Sequence, residues 1–323
     1  MKRRSFVAAL GSAAVWPLLA RAQQPGRTYS LGFLLPYGRD NPGFTSFFDE
    51  LRLNGYVERQ NLTINADGFD VHDQLPAHAA AVVKTAPDMI FSGPDPYSRA
   101  VQEATSTIPI VVLSGNMVAA GIVKSLAHPG GNTTGVSMFA PELDGKRQDL
   151  LIEAAPGAHR IAALADPTMS QSLPRHFEEL KNAARLRGVE LLIFSVAKPE
   201  EIAPAINDAK ASGAEALNFL ATPLFFVHRR IIIEQVAAAR LPAMYQWPEM
   251  AEGGGLAAYG TPLSQIYRQV ARLVIKVLRG TPPGDIPAEQ PTNFELVINL
   301  KAAKALDLTI PGSLLLRADK VIE

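Results

Sequence analysis

An α/β fold of two lobes, each on a parallel sheet and joined by a three-segment hinge, is predicted by three observations. Short apolar runs bounded by turn residues alternate with amphipathic helical patterns, which signals βα units. The series occurs twice in tandem, the second time from "HRIAALADP" (159–167) onward. Late in the chain, an apolar helix, a turn-rich stretch and a further strand indicate a chain that leaves a lobe and returns.

In the first series, "YSLGFLLP" (29–36) reads as a buried strand and 44–53 as the helix after it. "LTINADG" (62–68) alternates like a strand, and 75–85 is helical. "DMIFSG" (88–93) and "IPIVVLSG" (108–115) are strands separated by a helix over 97–105, which completes four strands and three helices. In the second series, "HRIAALADP" precedes a helix over 171–187 that places Phe177, Leu180 and Ala184 on one face. "VELLIFSV" (189–196) and "AEALNFLATP" (214–223) are strands followed by helices over 200–212 and 225–239. "LPAMYQW" (241–247) and "GGLAAYGTP" (254–262) are the last short strands before the helix over 263–279. "RGTPPGDIP" (279–287) is turn-rich, and 293–311 reads as a strand and a short helix. Crossings are expected near 139–145, 255–260 and 280–290. The first lobe is then 28–140 plus 259–282, and the second 141–258 plus 283–323.

Residues 1–22 carry a basic head (Lys2, Arg3, Arg4), an apolar stretch and the small-x-small site Ala20-Arg21-Ala22. That order predicts a secretory signal peptide cleaved after Ala22, by the Sec or the twin-arginine route. Its apolar run is shorter than the roughly 20 residues of a membrane span. Removal of its four basic residues leaves 27 basic against 31 acidic side chains, net −4. That balance argues against a nucleic-acid partner, which wants a basic face. The chain has no cysteine, which excludes disulfides, thiolate catalysis and Cys-ligated metals.

Motifs for chemistry are weak. The six histidines form no His-Glu-x-x-His and no i, i+4 pair. "GVSMF" (135–139) lacks the final glycine of a nucleophile elbow. "GGGLAA" (253–258) precedes a strand where a dinucleotide fingerprint needs one before it. "HPGGN" (128–132) lacks the Lys of a phosphate loop. Asp166 and Glu249 are conceivable as an acid/base pair, but spacing does not bring them together. Polar residues do recur at strand ends: Ser92 and Asp95, Ser114 and Asn116, then Asp166, Thr168, Ser170 and Gln171, and Thr222. With the aromatic residues Tyr37, Phe225, Tyr245 and Trp247, they make a plausible small-molecule pocket between the lobes.

"SLAHPGGNTTGVS", "RQDLLIEAAPGAHRIAALADP" and above all "PTNFELVINLKAAKALDL" resemble the ABC-transporter substrate-binding family that includes tryptophan- and phenylalanine-binding members. The resemblance runs from the leader to Glu323. It implies a type I periplasmic-binding fold of two Rossmann-like lobes, with no catalysis, no metal and no cofactor. It further implies a monomer in the periplasm that delivers a small organic ligand to an ABC permease. A ligand-sensing role and, less favoured, a secreted hydrolase are the alternatives. The loop Ser92-Gly93-Pro94-Asp95 stands where the family has a Gly-Gly-Thr-Pro-like turn, and Arg59 where glycine is usual. Ser92, Ser114 and Asn116 are expected to hold a carboxylate, with Thr168, Ser170, Gln171 and Thr222 closing from the second lobe. Tyr37, Phe225, Tyr245 and Trp247 are expected as the wall. Asn116-Met117 replaces a common Asp-Pro pair, which favours an aromatic or other small carboxylate over an aromatic amino acid. Asp95 or Asp166 is left to meet an amino group.

Overall fold

A computed structural model describes residues 26–138, 143–167 and 173–323. The expected leader and the candidates Thr168, Ser170 and Gln171 lie outside those residues, as does the expected lobe boundary after residue 140.

The first sheet contains β1 (Tyr29–Leu34), β2 (Leu62–Ile64), β3 (Met89–Ser92), β4 (Ile110–Ser114) and β5 (Thr133–Ser137). All pairs are parallel, in the order β2-β1-β3-β4-β5. The strands β3, β4 and β5 are buried along their whole length, as expected of a parallel sheet covered on both faces. Helices α1 (Gly43–Leu53), α2 (Leu75–Lys84) and α3 (Asp95–Ala104) connect them. β5 was not among the expected strands. "TTGVS" shows no apolar run, because its burial comes from neighbours: the Thr134 hydroxyl donates to the Ile286 carbonyl at 2.9 Å. The expected strand 62–68 stops at Ile64, where the Asn65 side chain accepts from the Asp67 N–H and turns the chain.

The second sheet follows α4 (Asp144–Ala154). It contains β6 (Arg160–Ala165), β7 (Glu190–Ser195), β8 (Ala216–Phe219), β9 (Ala243–Tyr245), β10 (Ala257–Gly260), β11 (Glu295–Asn299) and β12 (Lys320–Ile322). The helices of this half of the chain are α5 (Leu173–Leu186), α6 (Ile202–Ala211), α7 (Pro223–Val227), α8 (Arg229–Ala239) and α9 (Pro248–Glu252), then α10 (Leu263–Leu278), which belongs to the first lobe, and α11 (Leu300–Ala305) and α12 (Gly312–Leu315). The order is β12-β11-β10-β9-β8-β6-β7. The expected helix over 225–239 is two helices, α7 and α8, divided at His228.

After β10 the chain crosses, and α10 packs on α1, β3, β4 and β5 of the first lobe. Its apolar stripe, including Ile266, Val270, Leu273, Val274 and Val277, is buried. Tyr267 joins the aromatic cluster of Phe33, Phe44, Phe47 and Phe91, meeting Phe44 edge-on at 5.3 Å. Close approach of α1 and α10 requires Gly43, because a Cβ there would lie 2.4 Å from the Tyr267 ring.

The return crossing falls at the end of the expected range of 280–290. Residues 286–289 run along β5, with Glu289 N–H donating to the Gly135 carbonyl (2.9 Å) and Ser137 N–H to the Glu289 carbonyl (2.9 Å). The third crossing therefore follows Glu289, and the boundary at 282/283 is corrected accordingly. Since the chain re-enters the second sheet from the side by which it left, β11 pairs antiparallel with β10.

Arg59 has φ 65°, the left-handed conformation that costs a side chain roughly 1–2 kcal/mol. The glycine usual at this position in the resembling family fits that geometry. Arg59→Gly is expected to raise stability by about 0.5–1 kcal/mol after the added unfolded-state entropy. A urea midpoint shift toward higher denaturant at unchanged slope checks it.

Candidate functional site

The carboxyl ends of β1, β3 and β4 in the first lobe, and of β6, β8 and β9 in the second, carry the described candidate residues. In parallel α/β sheets this is where ligands bind. Tyr37 follows β1 and is 9% exposed. Burial pushes its phenol up to about 12, against a hydrogen bond with Tyr267 that pulls it back.

Two expected donors are already committed. A serine hydroxyl has one proton to donate. Ser92 donates its own to the Leu34 carbonyl (3.2 Å) and Ser114 to the Asp95 carboxylate (2.5 Å), and both residues are fully buried. Asp95 also accepts from the Gly115 N–H. Burial raises its pKa, while Ser114, Arg99 and Gly115 oppose the shift. The Asn116 side chain accepts from the Ala119 N–H at 3.0 Å, closing a turn. In this structure the Ser92 hydroxyl ties the end of β3 to β1, and the Ser114 hydroxyl ties the end of β4 to the start of α3. Gly93, between them, has φ 155°, and a Cβ there would lie 2.3 Å from the Leu113 carbonyl oxygen.

In the second lobe, the Thr222 hydroxyl caps α7 by accepting from the Leu224 N–H and donates to Asp166 at 3.1 Å. Asp166 thus meets Thr222, whereas Glu249 meets the start of α10, and no described hydrogen bond joins the two carboxylates. Phe225 and Tyr245 both pack on Phe219, the first edge-on at 5.3 Å and the second stacked at 5.2 Å. They are 2% and 1% exposed, and burial raises the Tyr245 phenol pKa. Both side chains belong to the buried hydrophobic core. Between α7 and α8, burial lowers the pKa of the His228 imidazole, and His72 of the first lobe lowers it further.

Trp247 borders a small space between the lobes. It follows β9, packs edge-on to Phe226 at 5.8 Å and is 6% exposed. With Met138, Leu143, Arg147, Gln246, Gly260, Thr261 and Ile266 it lines a small cavity of about 10 Å³. Its indole Nε1–H is buried and has no acceptor among the described residues. The lining draws on both lobes and on two of the three crossings.

Arg147 was missed from sequence. In "DGKRQDLLIEA" it reads as a solvated helix face, yet it is 1% exposed. Its Nη1 donates to Asp144 at 2.6 Å and its Nε to the Tyr259 carbonyl at 2.8 Å. His176 Nε2 lies 3.1 Å from the other Asp144 oxygen. Burial lowers the Arg147 pKa, and Asp144 works against that. A charged side chain thus pins α4, just after the first crossing, to the end of β10, just before the second.

Glu249 pins the same region from the other side. Its Oε1 accepts from the Leu263 N–H, at the start of α10, at 2.7 Å, while Oε2 is buried without a partner. Burial raises its pKa above the ordinary 4.5, and Glu252 and Glu295 add to the rise. The folded chain therefore holds this proton better than the unfolded one. Between the ordinary value and the raised folded value, stability falls as pH rises. Glu249→Gln, which keeps an acceptor for Leu263, is expected to be the more stable protein at pH 7, by on the order of 1 kcal/mol. That advantage shrinks as the pH is lowered toward the ordinary carboxylate value, which denaturation at a series of pH values measures.

Among the described residues, no three or more His, Asp or Glu side chains converge as a metal site. No described helix is long and apolar enough to cross a membrane.

Comparison with known proteins gives the same frame. The family model for ABC transporter substrate binding proteins matches residues 44–322. A tyrosine-binding protein of Clostridioides difficile (strain R20291) is 27% identical over 267 residues, which are 81% of this chain and 75% of that protein. The crystal structure of a conserved domain protein from Vibrio cholerae superposes with a TM-score of 0.79 at 26% identity. It covers 91% of this chain and 100% of its own. A Streptococcus pneumonia ABC domain in complex with L-Trp gives the same TM-score and coverage at 24% identity. The fold is the type I periplasmic-binding fold, and the chain belongs to the ABC transporter substrate-binding protein family.

Proposed function

We propose that this chain is the periplasmic solute receptor of an ABC importer and closes its two lobes on a small aromatic solute. The observation that carries this is the small space beside Trp247, set at the carboxyl ends of strands from both sheets and at two hinge crossings. A solute held between the lobes contacts both only when they are together, so binding shifts an open–closed equilibrium. The closed form is what an inner-membrane permease would recognise. The relatives that bind tyrosine and L-Trp favour an aromatic amino acid. The commitment of Ser92 and Ser114 within the first lobe leaves backbone N–H groups to meet its carboxylate. The net charge of −4 expected without the leader argues against a nucleic-acid partner.

Titration calorimetry with L-tyrosine, L-tryptophan, L-phenylalanine, phenylacetate and 4-hydroxyphenylacetate tests the reading, with small-angle scattering of each saturated sample. At least one solute is expected to bind with a Kd on the order of micromolar and to reduce the radius of gyration. Absence of binding across the panel, or binding without compaction, overturns it.

A further inference from the structure

We propose that β7 pairs antiparallel with β7 of a second copy of this chain, so that two second-lobe sheets join into one, in place of the monomer that the family resemblance implies. The inference goes beyond the solute-receptor reading above and does not depend on it.

A sheet edge exposes a row of free N–H and C=O groups, and proteins blunt such edges by shortening or covering them, or with proline, lysine or a bulge. Of the four sheet edges among the described residues, three are treated in that way. β2 and β12 are three residues long, and β5 is covered by the segment that ends at Glu289. β7 is the exception. It runs six residues, "ELLIFS", in unbroken register with β6 from Glu190 to Ser195, with no proline or lysine. On the β6 side, the N–H groups of Glu190 and Val196 donate to the His159 and Ala165 carbonyls. By alternation along the strand, Leu191, Ile193 and Ser195 turn their N–H and C=O groups to the outer side. β7 ends the sheet, so no described strand meets them there. Leu192, Ile193 and Phe194 are half-buried, where β3 and β4 are fully buried along their length.

The stripe of α5 beside this edge is complementary to itself. Glu178, Lys181, Asn182 and Arg185 recur at helical spacing and line an open groove of about 500 Å³ next to the first residues of β7. Charge divides along the stripe, acidic at Glu178 and basic at Lys181 and Arg185. A two-fold axis through Leu192 pairs the strands and also lays α5 antiparallel to its counterpart. α5 leads into β7 through the turn 187–189, and a helix rises about 1.5 Å per residue against about 3.3 Å for a strand. The middle of the stripe therefore lies near Leu192, and Glu178 of each copy faces Arg185 of the other. Arg185 reaches Asn182 but pairs with no carboxylate among the described residues, so its charge is available. Leu186, one turn beyond Asn182, is 88% exposed and is shielded by the same contact. β9, β8 and β6 separate the edge from β10, where the chain crosses to the first lobe, so pairing leaves the lobes free to move.

Sedimentation velocity over a concentration series tests the proposal. The wild-type protein is expected to pass from monomer to dimer with a Kd on the order of 10 µM. Arg185→Glu and Glu178→Arg each set like charges opposite one another and should weaken the dimer at least about tenfold. An equimolar mixture of the two variants restores both contacts, and should dimerise within about threefold of the wild-type affinity. Mixing does not repair a folding defect, so this readout is specific to the contact. Leu192→Cys gives the chain a single thiol. Under diamide it is expected to form a disulfide with its counterpart, because Cα atoms of such an opposed pair lie about 4.5 Å apart. A wild-type protein that stays monomeric at roughly 500 µM overturns the proposal. So does a mixture of the charge variants that stays monomeric, or a Leu192→Cys protein that dimerises without cross-linking.

Discussion

Asp144→Ala is expected to destabilise the protein by roughly 3–5 kcal/mol, the range for removing one partner of a buried ion pair. Asp144 and Arg147 are 3% and 1% exposed, and they lie 2.6 Å apart. Without the carboxylate, the guanidinium remains buried with its charge uncompensated, and burial already disfavours that charge. His176 loses its acceptor in the same change. The double variant Asp144→Ala with Arg147→Met removes both charges and is expected to recover much of the loss. Recovery stays partial, because the Tyr259 carbonyl loses the Arg147 Nε donor. Urea denaturation of the two single variants and the double gives the coupling energy. A single-variant loss below about 1 kcal/mol would show that the pair is solvated and not a buried pin.

Gly93→Ala should cost about 2–3 kcal/mol or more. Two effects combine at this position. The backbone φ of 155° lies in a region that side chains rarely adopt, and the new Cβ would press on the Leu113 carbonyl oxygen at 2.3 Å. The obstacle is backbone of the adjacent strand, so it cannot turn aside as a flexible side chain would. Relief requires separation of the β3 and β4 ends, where Ser92 and Ser114 make their buried hydrogen bonds. A midpoint of thermal unfolding equal to that of the wild-type protein would refute the argument.

Some elements were plain from local pattern. β1, β3 and β4 are continuous apolar runs between turn residues, and α10 repeats its apolar positions at helical spacing, so each announces its own burial. α4 gave no such signal. Six of its eleven residues are buried, but Asp144, Arg147 and Gln148 are among them, and those types ordinarily mark a solvated face. β5 was equally silent, since Thr133, Thr134 and Ser137 are covered by a segment some 150 residues away in the chain. In the candidate site, residue types at strand ends indicated a polar cleft with aromatic neighbours. The same pattern could not separate a hydroxyl aimed at a ligand from one that ties two elements together, as at Ser92 and Ser114.

Residue order alone therefore settled the α/β class, the two tandem lobes and the family, because periodicity and turn chemistry act between near neighbours and need no partner from elsewhere. What folding added was the partner of each polar group: Asp144 for Arg147, Leu263 N–H for Glu249, Asp95 for Ser114, and no acceptor for Trp247. Those pairings join residues brought together by three crossings of the chain, and their strength depends on the exclusion of water. Both conditions arise only when distant segments pack, so neither is written in any short stretch of the chain.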